Sequence, residues 1–512
     1  MKKKAKIINV IILIIVTVIL AGAIVIKIVI PKLIETGKIE YQNKNYKEVV
    51  EVIDNQLKDI DMDKVIEKSD LILEKNILEL QNSVSNGEIT YKDITALYLY
   101  RIKKFDQTKE GYNSIISINP KAIEQANKCD ENENTEKNLL YGIPVTLKDN
   151  INTNFLPTTG GSVALKEFVP KTNAEIVDNL LNDGAIILGK NNMSQFANFM
   201  SIKMPSGYTD LKGQNLNPYG KLNITTYGSS SGSATSVTAN FSAVSIGTET
   251  TGSIIAPASI QGVVGFKPSI SKIESNGIIP LAPSLDVAGP ITRNVLDAAI
   301  TYNSISTDKI NLEALEKNYA EGMKIIMLKE DKNTILGKEI IKQLEKMNCN
   351  IIFKESNLDK LNNFDILVKE FKESLNSYLI EFDAPYKSLD EIVEFNSRDL
   401  PNRAKYGQDL LEMSNAGNKL EKSEIENRIK SAKITLDKFI GDADAFIFAD
   451  NEGAILSCMA GAPEVTIPLY INEDGMPHGL TIVTKTNMDE KAIKIAFSLE
   501  QNINKRIAPV IK

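Results

Sequence analysis

Residues 228–268, GSSSGSATSVTANFSAVSIGTETTGSIIAPASIQGVVGFKP, constrain the fold more than any other part of this chain. A Gly/Ser cluster opens the stretch, a run of Ser, Ala and Thr follows, and a second Gly/Thr/Ser turn spans 247–253. A helix of such small side chains has to pack its backbone closely against neighbours. Two hydroxyl-rich turns joined by one compact element bring serine hydroxyls and free backbone N–H groups to one point, as acyl transfer requires. The bland alternative is a flexible linker. Against it, the cluster runs straight into apolar-punctuated sequence and not into a second domain. The frame from Gly247 to Gly252 has the spacing of a phosphate loop, but no Lys follows the second Gly, which argues against a nucleotide.

The serine must be activated from elsewhere, and composition narrows the choice. His478 is the only histidine. A zinc hydrolase normally needs two or three His ligands, so that class is set aside. Cys129, Cys349 and Cys458 are far apart and odd in number, and they make neither a disulfide framework nor a Cys-x-x-Cys metal site. A net charge of −7, with no basic run beyond the first few residues, argues against a nucleic-acid partner.

Lys2, Lys3, Lys4 and Lys6 precede an apolar run over residues 7–26, long enough in a helix to cross a bilayer. Residues 1–31 are therefore expected to form a basic cytoplasmic tip and a transmembrane signal anchor, with the body outside the membrane. Cleavage at Ala21-Gly22-Ala23 would instead release a secreted protein, but the apolar run continues through Ile30. Residues 32–70 are rich in charge and Asn, with Val49, Val50, Ile53 and Leu57 at helical spacing. They are expected to form a polar, solvated stalk. The body is placed at 71–512. In it, one helix ends at Asn86-Gly87 and another opens at Thr90-x-x-Asp93, a capping-box pattern. Short apolar runs at 143–147, 185–188, 324–328, 350–353, 445–449, 464–469 and 479–483 read as strands alternating with helices. The fold class expected is α/β, with a mixed or largely parallel central sheet covered by helices.

Lys148 ends the first of those strands. A buried lysine loses its charge readily and becomes a proton acceptor, whereas a strand-end lysine facing solvent does nothing of the kind. Residues 228–232 also fit G-x-S-x-G, with Ser230 as nucleophile and His478 as base, but the strong preceding strand that motif needs is missing. His478, between Pro477 and Gly479 after a Gly-containing turn, reads more simply as a solvent-exposed histidine.

The segments LYGIPVTLKDNI, GSSSGSA, GTETTGSIIAPASIQGVVGFKPS, the D-x-x-GP-x-x-R element at 286–293 and the AGAPEVTIP tail resemble the amidase signature family, in order and spacing, over roughly residues 70–510. Within it the likeness is greatest to peptide-amidase and plant-type members. The resemblance implies a linear-amide hydrolase with a Ser-Ser-Lys triad. Ser253 matches the nucleophile, Ser229 the bridging serine after a cis peptide, and Lys148 the base. Ser230 matches a neighbour that supports the lysine. Backbone N–H groups of Thr250, Thr251, Gly252 and Ser253 match the oxyanion hole. No metal or organic cofactor is implied, the partner is a small-molecule or peptide amide, and oligomeric state is not indicated. The chain departs from the family pattern at Tyr227, Ser231, Thr251 and Ile255. Ile255 stands where an arginine is frequent, which favours neutral amides and speaks against the glutaminase component of a tRNA-dependent amidotransferase. A silent surface binding protein of the same fold is the non-enzymatic alternative. Residues 301–440 carry no motif and are expected to shape the substrate pocket.

Overall fold

Apolar runs bounded by Gly, Pro and Asp turns become the strands of a central sheet in the computed structural model, which describes residues 37–132, 138–355, 361–503 and 506–511. In chain order the strands are β1 (Ile115–Ile118), β2 (Pro144–Lys148), β3 (Ile186–Asn191), β4 (Tyr208–Thr209), β5 (Gly213–Gln214), β6 (Val244–Glu249) and β7 (Val264–Lys267). They continue with β8 (Val287–Thr292), β9 (Lys324–Leu328), β10 (Asn350–Lys354), β11 (Ala445–Ala449), β12 (Glu464–Ile471) and β13 (Pro477–Val483). Eleven form one sheet in the order β1-β3-β2-β6-β8-β7-β12-β13-β11-β9-β10, and β4 pairs with β5 alone.

Parallel pairing joins β2 to β3 and β6, and β9 to β10 and β11. Every other pairing in the large sheet is antiparallel. The sheet is thus mixed, and the expectation of a largely parallel one is corrected. A parallel neighbour needs a long crossover, whereas the short turn between β12 and β13 permits only a hairpin. Helices cover the sheet, so every residue of β2, β3, β6 and β8 is buried. Both helix signals are realised. The helix Ile77–Ser85 ends before Asn86-Gly87, and Thr90 and Asp93 exchange side-chain and backbone hydrogen bonds at 3.0 Å each.

The segment read as a stalk belongs to the body from residue 37 onward. Residues 37–44 lie along the small hairpin through Gly37 N–H to Lys203 O, Gln214 N–H to Gln42 O and Lys44 N–H to Lys212 O. The helix Tyr46–Leu57 then buries Val49, Ile53 and Leu57 in the main core. Apolar residues four apart make one stripe, and this stripe finds a partner surface that its charged flanks conceal in sequence. The anchor expected over 1–31 lies outside the described residues. Among the described residues no helix is long and apolar enough to cross a membrane.

A second core forms away from the sheet. Phe196, Phe199, Met200 and Tyr208 pack there against Phe371, Leu375 and Leu379 of the helix Phe364–Glu381. The helices between residues 364 and 416 thereby form a wall beside the edge where β2 and β6 end.

Candidate active site

β2 and β6 run parallel with Leu147 opposite Ile246, so Lys148 comes level with Gly247 and its ammonium reaches Thr248, one residue further along β6. The helix Ser231–Thr238, every residue of it buried, packs on both strands. Small residues permit that approach. A Cβ at Gly232 would lie 2.3 Å from Asn192 O and 2.5 Å from Ser114 O. The segment is therefore the close-packed helix expected and not a linker. Its N-terminal end carries the peptide Gly228–Ser229, which is cis.

Lys148 is fully buried. Its ammonium donates to Ser229 Oγ at 2.7 Å, Thr248 Oγ1 at 2.8 Å and Thr248 O at 3.0 Å. Burial pulls its pKa down to about 7, against the attraction of the Asp286 and Glu249 carboxylates. The solvent-facing reading of Lys148 is excluded. Burial alone would not have selected it, because Lys190 and Lys212 are equally enclosed. Those two donate to Thr158 and Gln107, and Lys148 alone reaches a serine of the cluster.

Ser230 makes no side-chain hydrogen bond to the lysine. Its hydroxyl donates to Thr248 O at 2.9 Å and accepts Thr248 N–H at 3.1 Å, so it fixes the residue on which Lys148 rests. Its own N–H donates to Ser253 O at 3.1 Å, joining the Gly/Ser cluster to the second turn. Lys148 and Ser229 have no exposed surface, whereas Ser253 keeps 8%. Of the three, only Ser253 keeps surface through which a substrate can be met.

Glu249 shapes that second turn. Its carboxylate accepts the N–H groups of Gly252 at 2.7 Å, Ile254 at 2.6 Å and Ile255 at 3.0 Å. Gly252, expected as an oxyanion donor, is thus already engaged. The N–H groups of Thr250, Thr251 and Ser253 donate to no acceptor among the described residues and stay available for an oxyanion. Ile255 is buried and lines no part of the pocket beside the turn. That pocket, ≈ 50 Å³ in volume, is bounded by Asn150, Thr248, Thr250, Ile279, Leu281 and Val287 among others.

His478 is part-buried, and its Nδ1 lies 2.7 Å from Asp450 Oδ2. Asp450 Oδ1 also accepts Ser259 Oγ and Gly479 N–H. The Ser230–His478 pair is not assembled, since the hydroxyl and the imidazole are each committed elsewhere. The solvent-exposed reading of His478 is also corrected, because in β13 its side chain is part-buried against Asp450.

Sequence reasoning missed Thr248, Glu249 and Asn150, whose Nδ2 donates to Thr248 Oγ1 at 3.0 Å. The first two lie inside the GTETTGS motif, the only signal available. It also missed Asn363, whose Nδ2 donates to Thr251 Oγ1 at 2.6 Å from across the fold. Nothing local marks that residue.

The sequence profile of the Amidase family matches residues 93–448, and the chain belongs to this family. It is 32% identical to a probable amidase of Arabidopsis thaliana, over 84% of this chain and 90% of that one. The crystal structure of an amidase family protein from Bacillus anthracis superposes with a TM-score of 0.90 at 37% identity, covering 92% of this chain and 99% of that chain. Native peptide amidase from Stenotrophomonas maltophilia gives 0.79 at 30% identity, covering 86% and 99%. More distant relatives include glutamyl-tRNA(Gln) amidotransferase components, one of them from Caldanaerobacter subterraneus at 28% identity over 83% of this chain and 95% of that one.

Proposed function

We propose that the protein hydrolyses a linear carboxylic amide, from a small molecule or a peptide, through an acyl-enzyme on Ser253. Membership of the Amidase family implies amide hydrolysis. The observation that carries the finer reading is the 2.7 Å bond from a fully buried Lys148 to Ser229 Oγ. Neutral Lys148 takes the Ser229 proton as Ser229 takes that of Ser253, and Ser253 Oγ attacks the carbonyl carbon. The oxyanion forms toward the N–H groups of Thr250, Thr251 and Ser253. The proton returns along the same relay to the leaving nitrogen, the C–N bond breaks, and ammonia or an amine departs. Water then cleaves the ester, releasing the carboxylate and restoring Ser253.

Replacing Ser253 by Ala should abolish ammonia or amine release from a panel of peptide, aliphatic and fatty amides. Mass spectrometry should place the acyl adduct on the peptide containing Ser253. Full activity in Ser253→Ala, or an adduct elsewhere, would sink the reading. A folded wild-type protein inert to fluorophosphonate would favour the silent binding protein. The same proposal keeps the body outside a membrane, on the strength of the lysines before residues 7–26.

A further inference from the structure

Behind the Ser253 turn, Glu249 meets a second buried carboxyl across one sulfur atom. Cys458 Sγ, from the helix Ala454–Met459, lies 3.2 Å from Glu249 Oε1 and 3.2 Å from Glu464 Oε1 of β12. All three residues are buried, at 2% exposure or less. A thiol holds one proton and can donate to one of the two carboxyls, so toward the other it must accept.

Glu249 already receives three backbone N–H bonds, the environment of an ionised carboxylate. Glu464 differs. Its Oε2 is buried without a hydrogen-bond partner, and a charge is not left so in a protein interior. Lys267 Nζ of β7 stands 3.8 Å from Glu464 Oε1, but it is bonded to Ala462 O and Pro268 O. The proton arrangement consistent with these contacts is Glu464 O–H donating to Cys458 sulfur and Cys458 S–H donating to Glu249. The three ligand atoms lie within 4.8 Å of one another, as around a metal ion. Lys267 already supplies the positive charge there, and both Glu249 oxygens are occupied.

We propose that Glu464 is a positioning residue for the Ser253 chemistry, acting in its protonated form through the Cys458 thiol on Glu249 and so holding the oxyanion turn in shape. This rests on the reading of Ser253 as nucleophile. When Glu464 ionises, it claims the thiol proton from Glu249 and sets a second negative charge behind the turn where negative charge must develop. The titratable groups facing Glu464 are Cys458, Glu249 and Lys267, and the Ser457 hydroxyl lies beside them. Burial, partly offset by Lys267, pushes its pKa up to about 8.

Full-length protein is labelled with a fluorophosphonate, and the second-order rate of Ser253 adduct formation is followed from about pH 6 to about pH 10. The rate should rise as Lys148 loses its proton, then fall about tenfold by about one pH unit above the Glu464 pKa. In Glu464→Gln, a neutral side chain of the same shape, the alkaline fall should vanish while labelling near neutrality persists. In Lys267→Met it should move to higher pH, because the cation that favours ionised Glu464 is gone. An alkaline limb unchanged in Glu464→Gln, one that fails to move upward in Lys267→Met, or no limb in the wild type overturns the proposal. Should Glu464→Gln not fold by circular dichroism, Lys267→Met decides. If folded wild-type protein does not label at Ser253 at any pH, the nucleophile reading fails instead.

Discussion

At the residue scale, identical chemistry is separated by partners. Lys148, Lys190 and Lys212 all lose solvation, and burial lowers all three pKa values. What sets Lys148 apart is a serine hydroxyl at 2.7 Å and the Thr248 hydroxyl beside it. Its neutral amine is the active form, so amide hydrolysis should rise with pH through about 7, where that amine loses its proton. Replacing Lys148 by Met should lower kcat by about 10²–10⁴-fold and remove this acidic limb. The measurement is the pH–rate profile on an accepted amide. An unchanged profile would rule Lys148 out as the base.

Among the elements, two helices matter in ways that pattern did not announce. The helix Tyr46–Leu57 is charged over most of its surface yet contributes Ile53 at zero exposure. If this helix belongs to the body, Ile53→Ala should cost about 2–5 kcal/mol of stability. In a solvated spacer the same change should stay within about 0.5 kcal/mol. Denaturant unfolding separates the two outcomes. The helix Phe364–Glu381 stands over the site edge, tied by Asn363 to Thr251, by Glu370 to Ser284 and by Tyr378 to Asn152. These three residue pairs are far apart in the chain, so a local window had no means of finding them. Residues 301–440 were expected to shape the pocket, but among the described residues none of them lines the pocket beside the turn, and these contacts stop at Thr251, Ser284 and Asn152 next to it.

For the whole molecule, the site lies where two parallel strands leave the sheet at their carboxyl ends, the position open α/β sheets favour for binding. Residues 37–44 tie the chain to the small hairpin. A protein beginning at residue 37 should therefore keep its fold and its amidase activity. Under the anchor reading, full-length protein should sediment with membranes and the shortened form should not. Cell fractionation with an activity assay tests this, and a full-length protein recovered in the soluble fraction would defeat the anchor.

Much was legible in one dimension. Apolar runs located seven strands to within three residues but passed over β1, β6, β7 and β8, and Thr90 with Asp93 marked a helix start, because period and capping act over a few residues. A single histidine turned attention from a His-based triad to a lysine. The motif resemblance picked out Lys148, Ser229 and Ser253 before any geometry. Tertiary structure alone decided the rest. It made the sheet predominantly antiparallel, drew the supposed stalk into the core, gave His478 to Asp450 and withdrew Gly252 from the oxyanion donors. It also placed Cys458 against Glu249 across 209 positions of sequence. Hydrogen bonds and burial depend on distance in space, and propensity and pattern record only distance along the chain.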